Sequence, residues 1–407
     1  GLTGGGYAST TDCNYAAANA SGRVVNRTYD ARNRLETLLF PDGIGNQVWT
    51  YEKDGLPATI TTFNNPGNTT PVVNGYSYNK RRMLTSEYSH QPGWYTWSIG
   101  YDYDPIGHLR WQSYPTGLTL DYAPNALGQP TQARDQNNKA YASGAQYYPN
   151  GAMKQFSYGN GIVHTMTQNA RQLPQRVTSS GGVNDFSYNY DNNANITNIW
   201  DLARGDNYSR WMTYDNLDRL TSAGSASFGG DAWHRFTYDA LDNIKSWKLA
   251  GVKDYADYIY EEQTHRLTSI RNTAGATVVG LGYDPQGNLQ NKNGQEYKFD
   301  YGNRLRSVTG KEAYRYDGHG RRVLNWRPAG IDGPNATVTV MQYSQSGQVM
   351  YQEDSTKGAS ENIHLAGSVI AIRNGGTVKY QHTDALGSPV AVTNEAGAVI
   401  ERNDYEP

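Results

Sequence analysis

The side chains best placed for chemistry are His382 and Asp384, which stand two apart in Tyr380-Gln381-His382-Thr383-Asp384. In a strand such neighbours share a face, and an imidazole beside a carboxylate is an acid–base pair. One such pair without a nucleophile specifies no reaction, so both are expected to serve the turn of their tract. His90, His108, His164, His234, His265, His319 and His364 are scattered without metal-ligand spacing. Aspartates recur beside tyrosines, but the Gly-Gly-x-Gly-x-Asp spacing of calcium-binding repeats is missing, so turn capping is the expected role. Gly4-Gly5-Gly6 and Gly181-Gly182 open no predicted helix and read as loops, not phosphate cradles. Trp94-Tyr95-Thr96-Trp97 and Trp111 could stack on a sugar, although their alternation serves equally to pack one strand on another. No catalytic, cofactor-binding or metal residue is assigned, and the chain is expected not to be an enzyme.

What positions these residues is a repeat, Tyr-Asp-x-x-x-Arg/Asn-Leu/Ile. Its sharpest copies are Tyr29-Asp30-Ala31-Arg32-Asn33-Arg34-Leu35, Tyr214-Asp215-Asn216-Leu217-Asp218-Arg219-Leu220 and Tyr238-Asp239-Ala240-Leu241-Asp242-Asn243-Ile244. Tyr103-Asp104, Tyr190-Asp191, Tyr283-Asp284 and Tyr316-Asp317 anchor further copies, and Asn169-Ala170-Arg171-Gln172-Leu173 is a unit without its tyrosine. Tyr190, Tyr214, Tyr238, Tyr260 and Tyr283 stand 24, 24, 22 and 23 residues apart, enough for two short strands and their turns. Stretches such as Phe186-Ser187-Tyr188-Asn189-Tyr190 alternate aromatic with polar residues, as strands do. Asp, Asn and Gly follow, residues that cap turns and tolerate left-handed backbone angles. Each unit therefore reads strand, turn, strand. A lone hairpin of this size is not stable in water, so neighbours must stack.

Composition agrees. There are 33 Tyr and 44 Gly in 407 residues but only 37% hydrophobic residues, so tyrosine takes the place of leucine and isoleucine in a half-wet core. No apolar run is long enough for a membrane-spanning helix. A net charge of -2 gives no electrostatic case for nucleic acid. Cys13 is the single cysteine, so no internal disulfide is available. Length alone suggests two or three domains at roughly 150 residues each, but the repeat runs on through two Pro/Gly-rich interruptions, 64–71 and 327–335, which read as long hairpin loops. The expected divisions are a lead-in with first strands at 1–28, the repeat sheet at 29–340 and a closing tract at 341–407.

These units resemble the YD repeats of the rearrangement hot spot (Rhs) family from Tyr29 onward. The tract Tyr380-Gln381-His382-Thr383-Asp384-Ala385-Leu386-Gly387-Ser388-Pro389-Val390, running on to Pro407, is similar to the one that closes the Rhs core. The resemblance implies an all-β fold in which serial hairpins form a spiralling sheet that curves into a hollow shell, or part of one. In bacterial members the shell encloses a variable C-terminal toxin and keeps it sequestered until delivery. It implies no cofactor, a toxin polypeptide and secretion-apparatus proteins as partners, and a secreted or cell-surface location in bacteria. Teneurins share the shell and use it for adhesion, so binding of glycans or self-association is the alternative. The family's tract continues into an autoproteolytic Asp-Pro-Gly-Leu-like segment, and this sequence stops at Pro407 before it, which reads as a fragment or processed piece.

Overall fold

In the computed structural model, the described residues are Gly22, 24–331 and 334–407. Gly4-Gly5-Gly6, Cys13 and most of the 1–28 lead-in lie outside them. The described residues form strand after strand joined by turns and loops, and their only helical elements are 3-10 turns at Asp206–Tyr208 and Ala226–Phe228. The strands from Asn26 to Tyr255 make one sheet of 21 and those from Asp257 to Arg402 a second of 15, with antiparallel pairing between chain neighbours. This is the all-β, serial-hairpin fold expected from the repeat. Both Pro/Gly-rich interruptions are hairpin loops: Phe63 pairs with Pro71, and Arg327 with Thr337.

The chain forms two compact units, each assembled from two separated stretches, Gly1–Thr119 with Gly282–Glu361 and Leu120–Leu281 with Asn362–Pro407. Within each unit, strands from the early and late stretches face one another and bury the core between them. In the first unit Gly318 donates its N–H to Asn74 Oδ1 at 3.0 Å and accepts from Gln47 Nε2 at 3.0 Å. A methyl group at Gly318 would lie 2.4 Å from Ile60 Cγ2, so only glycine permits this approach of backbone to side chain. Glu87, buried by the same packing, accepts from Tyr101 Oη and from the Gln345 N–H. Its removal from water raises its pKa.

In the second unit the late stretch lies across the strands between Tyr141 and Tyr190. Tyr158 Oη donates to the Gln381 carbonyl at 2.9 Å, and Asn184 Nδ2 donates to the Thr383 carbonyl at 3.2 Å. Tyr158 also meets the Tyr380 ring edge-on, with centroids 6.0 Å apart, a favoured aromatic geometry. Arg204 forms a bidentate pair with Asp404, at 3.0 and 2.7 Å. These contacts join residues some 200 positions apart, and they explain how a chain this poor in aliphatic residues is held. Tyrosine and asparagine side chains satisfy backbone groups of the opposing layer while their apolar parts are buried.

Candidate functional site

Most repeats build the same turn, and the Tyr214 copy shows how; the Tyr260 copy is one residue longer, with the Glu261 N–H on the Arg266 carbonyl. Asp215 N–H donates to the Arg219 carbonyl at 3.0 Å, and Asp218 N–H donates back to the Asp215 carbonyl at 3.1 Å. Asp218 takes a φ of 61°, in the left-handed region. Pairing then slips by one residue between Thr213 and Tyr214. A three-residue loop with one left-handed residue and an adjoining bulge joins strands without splaying them.

The aspartate organises that loop with both oxygens. Asp215 Oδ1 accepts the N–H groups of Leu217 and Arg219 at 2.9 and 3.0 Å, while Oδ2 accepts Arg219 Nε at 2.8 Å. This explains the Arg/Asn four residues after each aspartate. In the Asp191, Asp239 and Asp284 copies an asparagine amide makes the Oδ2 contact, at 3.0, 2.9 and 2.9 Å. The bonds stabilise the ionised form: the Arg34 guanidinium holds Asp30 down to about 2, and Arg219 and Asn243 lower Asp215 and Asp239. Asp104 Oδ1 accepts the N–H groups of Ile106, Gly107 and His108, at 3.0, 2.7 and 2.9 Å, while the His108 ring lies beside its other oxygen without hydrogen-bonding to it. Asp317 accepts the N–H groups of His319 and Arg321, but burial pushes its pKa up. Asn169 replaces the aspartate where the tyrosine is lost, accepting from Arg171 and Leu173 at 2.9 and 3.1 Å.

The tyrosine links one repeat to the one before it. Tyr238 Oη donates to the Leu220 carbonyl at 2.7 Å, Tyr214 Oη to Ile196 at 2.9 Å and Tyr190 Oη to Pro174 at 2.7 Å. Tyr51 and Tyr103 do the same to Leu35 and Leu84, both at 2.7 Å, and Tyr316 to Leu305 at 2.6 Å. In each case the acceptor is the first strand residue after the preceding turn. Arg219 adds a second link, donating to the Asp239 carbonyl at 3.0 Å with its guanidinium 4.8 Å from the Tyr238 ring centre. The turns thus form a ladder in which each Tyr–Asp pair fixes its own loop and its neighbour. The hydroxyl partner could not be read from sequence, though the regular tyrosine spacing was the available signal.

The closing tract repeats this construction. Asp384 Oδ1 accepts from Leu386 and Ser388 at 2.9 and 2.8 Å, Gly387 takes a φ of 87°, and Tyr405 Oη donates to the Pro389 carbonyl at 2.8 Å. His382 does not join Asp384 in the turn. It belongs to the strand Thr377–Thr383, fully buried, with Nδ1 on Ser179 Oγ at 3.1 Å and Nε2 on Thr393 Oγ1 at 2.9 Å. The pairing slip between His382 and Thr383 breaks the alternation that would have put His382 and Asp384 on one face. Burial, with His164 nearby, drives the His382 pKa down to about 3, so the ring is neutral.

The aromatic run divides. Trp97 is packed, stacked on Tyr95 with centroids 4.0 Å apart and meeting Tyr351 edge-on at 4.7 Å. Trp111 lies in the strand Leu109–Ser113 near the Arg110 guanidinium, 5.7 Å away. Trp94 alone of the four is exposed. Among the described residues no group of three His, Cys, Asp or Glu side chains is placed to hold a metal, and no helix is long and apolar enough to cross a membrane.

Fold and turn ladder together define a serial β-hairpin protein with an Rhs-like fold. The chain is similar in structure to bacterial Tc toxin assemblies: TcdB2-TccC3 without its hypervariable C-terminal region, at a TM-score of 0.67 and 15% identity, and the Photorhabdus luminescens Tc holotoxin pore, at 0.66 and 15%. Each match covers 94% of this chain, which spans about a quarter of the length of those chains, 24% and 23%. No family model and no curated protein matches the sequence. At this identity the likeness establishes the fold.

Proposed function

We propose that this chain is part of the non-enzymatic β-scaffold of a bacterial Rhs-type toxin, whose task is to enclose a toxin polypeptide and release it on delivery. The observation that carries the reading is the turn ladder, which continues over nearly the whole chain and shares its fold with toxin assemblies over 94% of its length. Supporting it, the aspartates best suited to chemistry are spent on loop N–H groups and the fully buried His382 on two hydroxyls. On this reading the protein is secreted or displayed at the bacterial surface, its partners are the enclosed polypeptide and the secretion apparatus, and it needs no cofactor.

Protease protection of the intact parent polypeptide tests the proposal. A toxin segment that resists added protease until the repeat region is unfolded supports it. Cleavage of that segment at one rate with and without the repeat region refutes it. The adhesive alternative draws on one specific observation, the exposure of Trp94 beside a pocket in the first unit.

A further inference from the structure

That pocket is not explained by the turn ladder. It has a volume of about 400 Å³ and opens between the 64–70 hairpin loop, the turn carrying Trp94, and the hairpin of Glu312–Tyr316 with Arg322–Arg327. Its size falls within the range of small-ligand sites, ~300–1,000 Å³. In the hairpin Ala313 pairs with Trp326 and Arg315 with Leu324, so these four side chains project from one face into the pocket wall. Trp326 is 41% exposed and Trp94 50%, in a molecule that packs most of its aromatic rings.

Beside Trp94, in the wall that also carries Trp326, stands a cation without a counter-ion. The Arg315 guanidinium lies 5.4 Å from the Trp94 ring centre and donates one N–H to Gln91 Oε1 at 3.2 Å. No carboxylate among the described residues pairs with it. The arginines of the turn ladder differ: Arg34, Arg219 and Arg304 each sit on an aspartate, and Arg306, in the wall of the same pocket, is held by Asp300 at 2.5 Å. Arg315 is partly desolvated, and burial lowers its pKa. An arginine has five N–H donors in a fork matched to a carboxylate, and a half-buried charge left unpaired is costly. The free side of this fork is where an anion would be most strongly held.

We propose that this pocket binds an acidic sugar, a hexuronate unit whose carboxylate pairs with Arg315 and whose ring face lies on Trp326, the indole that Arg315 does not cover. The C–H face of a pyranose carries partial positive charge and suits the negative face of an indole. A bare inorganic anion would leave the Trp326 indole unused, and a neutral sugar would leave the arginine unpaired.

Isothermal titration of the chain with digalacturonate, with neutral digalactose and with a glutamate-rich peptide tests this, using Arg315→Gln, Arg315→Lys and Trp326→Ala. Each variant is first shown by circular dichroism to melt like the parent. The expected result is saturable, millimolar digalacturonate binding, weakened roughly tenfold or more by Arg315→Gln and by Trp326→Ala, less by Arg315→Lys, with digalactose at least roughly tenfold weaker. The proposal is overturned by absent digalacturonate binding, by variants that bind like the parent, by digalactose binding equally well, or by the peptide binding more tightly than the sugar. None of these outcomes bears on enclosure of a toxin, which the protease experiment tests separately.

Discussion

Acid should loosen the second unit through its buried histidines, and His382→Gln isolates one of them. The folded ring titrates at about 3 against an ordinary value of 6.5, because burial and the neighbouring His164 disfavour its cation. Its folded pKa is depressed, so the unfolded chain binds the proton first. The cost is absent above about pH 6.5, grows as pH falls through the window between the two values, and is complete near about pH 3. At about pH 4.5 the offset of two pH units amounts to about 3 kcal/mol. Glutamine can still donate and accept toward Ser179 and Thr393 but does not titrate. At about pH 7.5 the variant should be less stable by ~1–2 kcal/mol, through imperfect packing and hydrogen bonding. The gap should shrink on acidification and reverse by about pH 4.5, since the variant takes up about one proton fewer on unfolding, or ~1.4 kcal/mol per pH unit. Urea unfolding followed by circular dichroism across this range measures it. A gap that stays constant with pH would refute a neutral, buried His382.

Further expectations concern the turn ladder and the packed layers. Tyr238→Phe removes the donor to the Leu220 carbonyl while keeping the ring, and should cost about 0.5–1.5 kcal/mol in chemical denaturation, against no loss if the hydroxyl were merely solvated. Asp215→Asn retains an acceptor for the Leu217 and Arg219 N–H groups and should lower the melting temperature less than Asp215→Ala; equal losses would contradict the loop-capping role. Asp30, Asp215 and Asp239 have folded pKa values depressed by their Arg or Asn partners, so their contribution is present above the ordinary carboxylate range and is lost as pH falls through the depressed values. A melting temperature that stays flat below about pH 4 would contradict this. Gly318→Ala forces a methyl against Ile60 and should destabilise the first unit by about 1–3 kcal/mol, read by the same denaturation.

The loop was legible because its bonds close within five residues. Asp, a left-handed position three further on and Arg or Asn at the fourth are chemically sufficient to form it, and Tyr214 through Leu220 carries them all. His382 was not legible in the same way. Its neighbour Asp384 suggested a pair, but the bulge after His382 and the hydroxyls of Ser179 and Thr393 decide its environment. The Trp94 run was half legible: alternation left packing and sugar stacking equally open, packing against Tyr95 and Tyr351 decided Trp97, and Arg315 and Trp326, which complete the pocket, lie more than 200 positions further along.

The sequence by itself therefore determined the hairpin, its turn and its recurrence, since those depend on backbone preferences and contacts within one or two repeats. Tertiary structure alone decided that Gly1–Thr119 folds with Gly282–Glu361 and Leu120–Leu281 with Asn362–Pro407. Any aromatic face of such repeats can cover any other, so local pattern is silent about partners. The choice is made by side-chain-to-backbone bonds across the layers, such as Gln47 and Asn74 on Gly318 and Tyr158 on Gln381, together with the close approach that only a glycine allows.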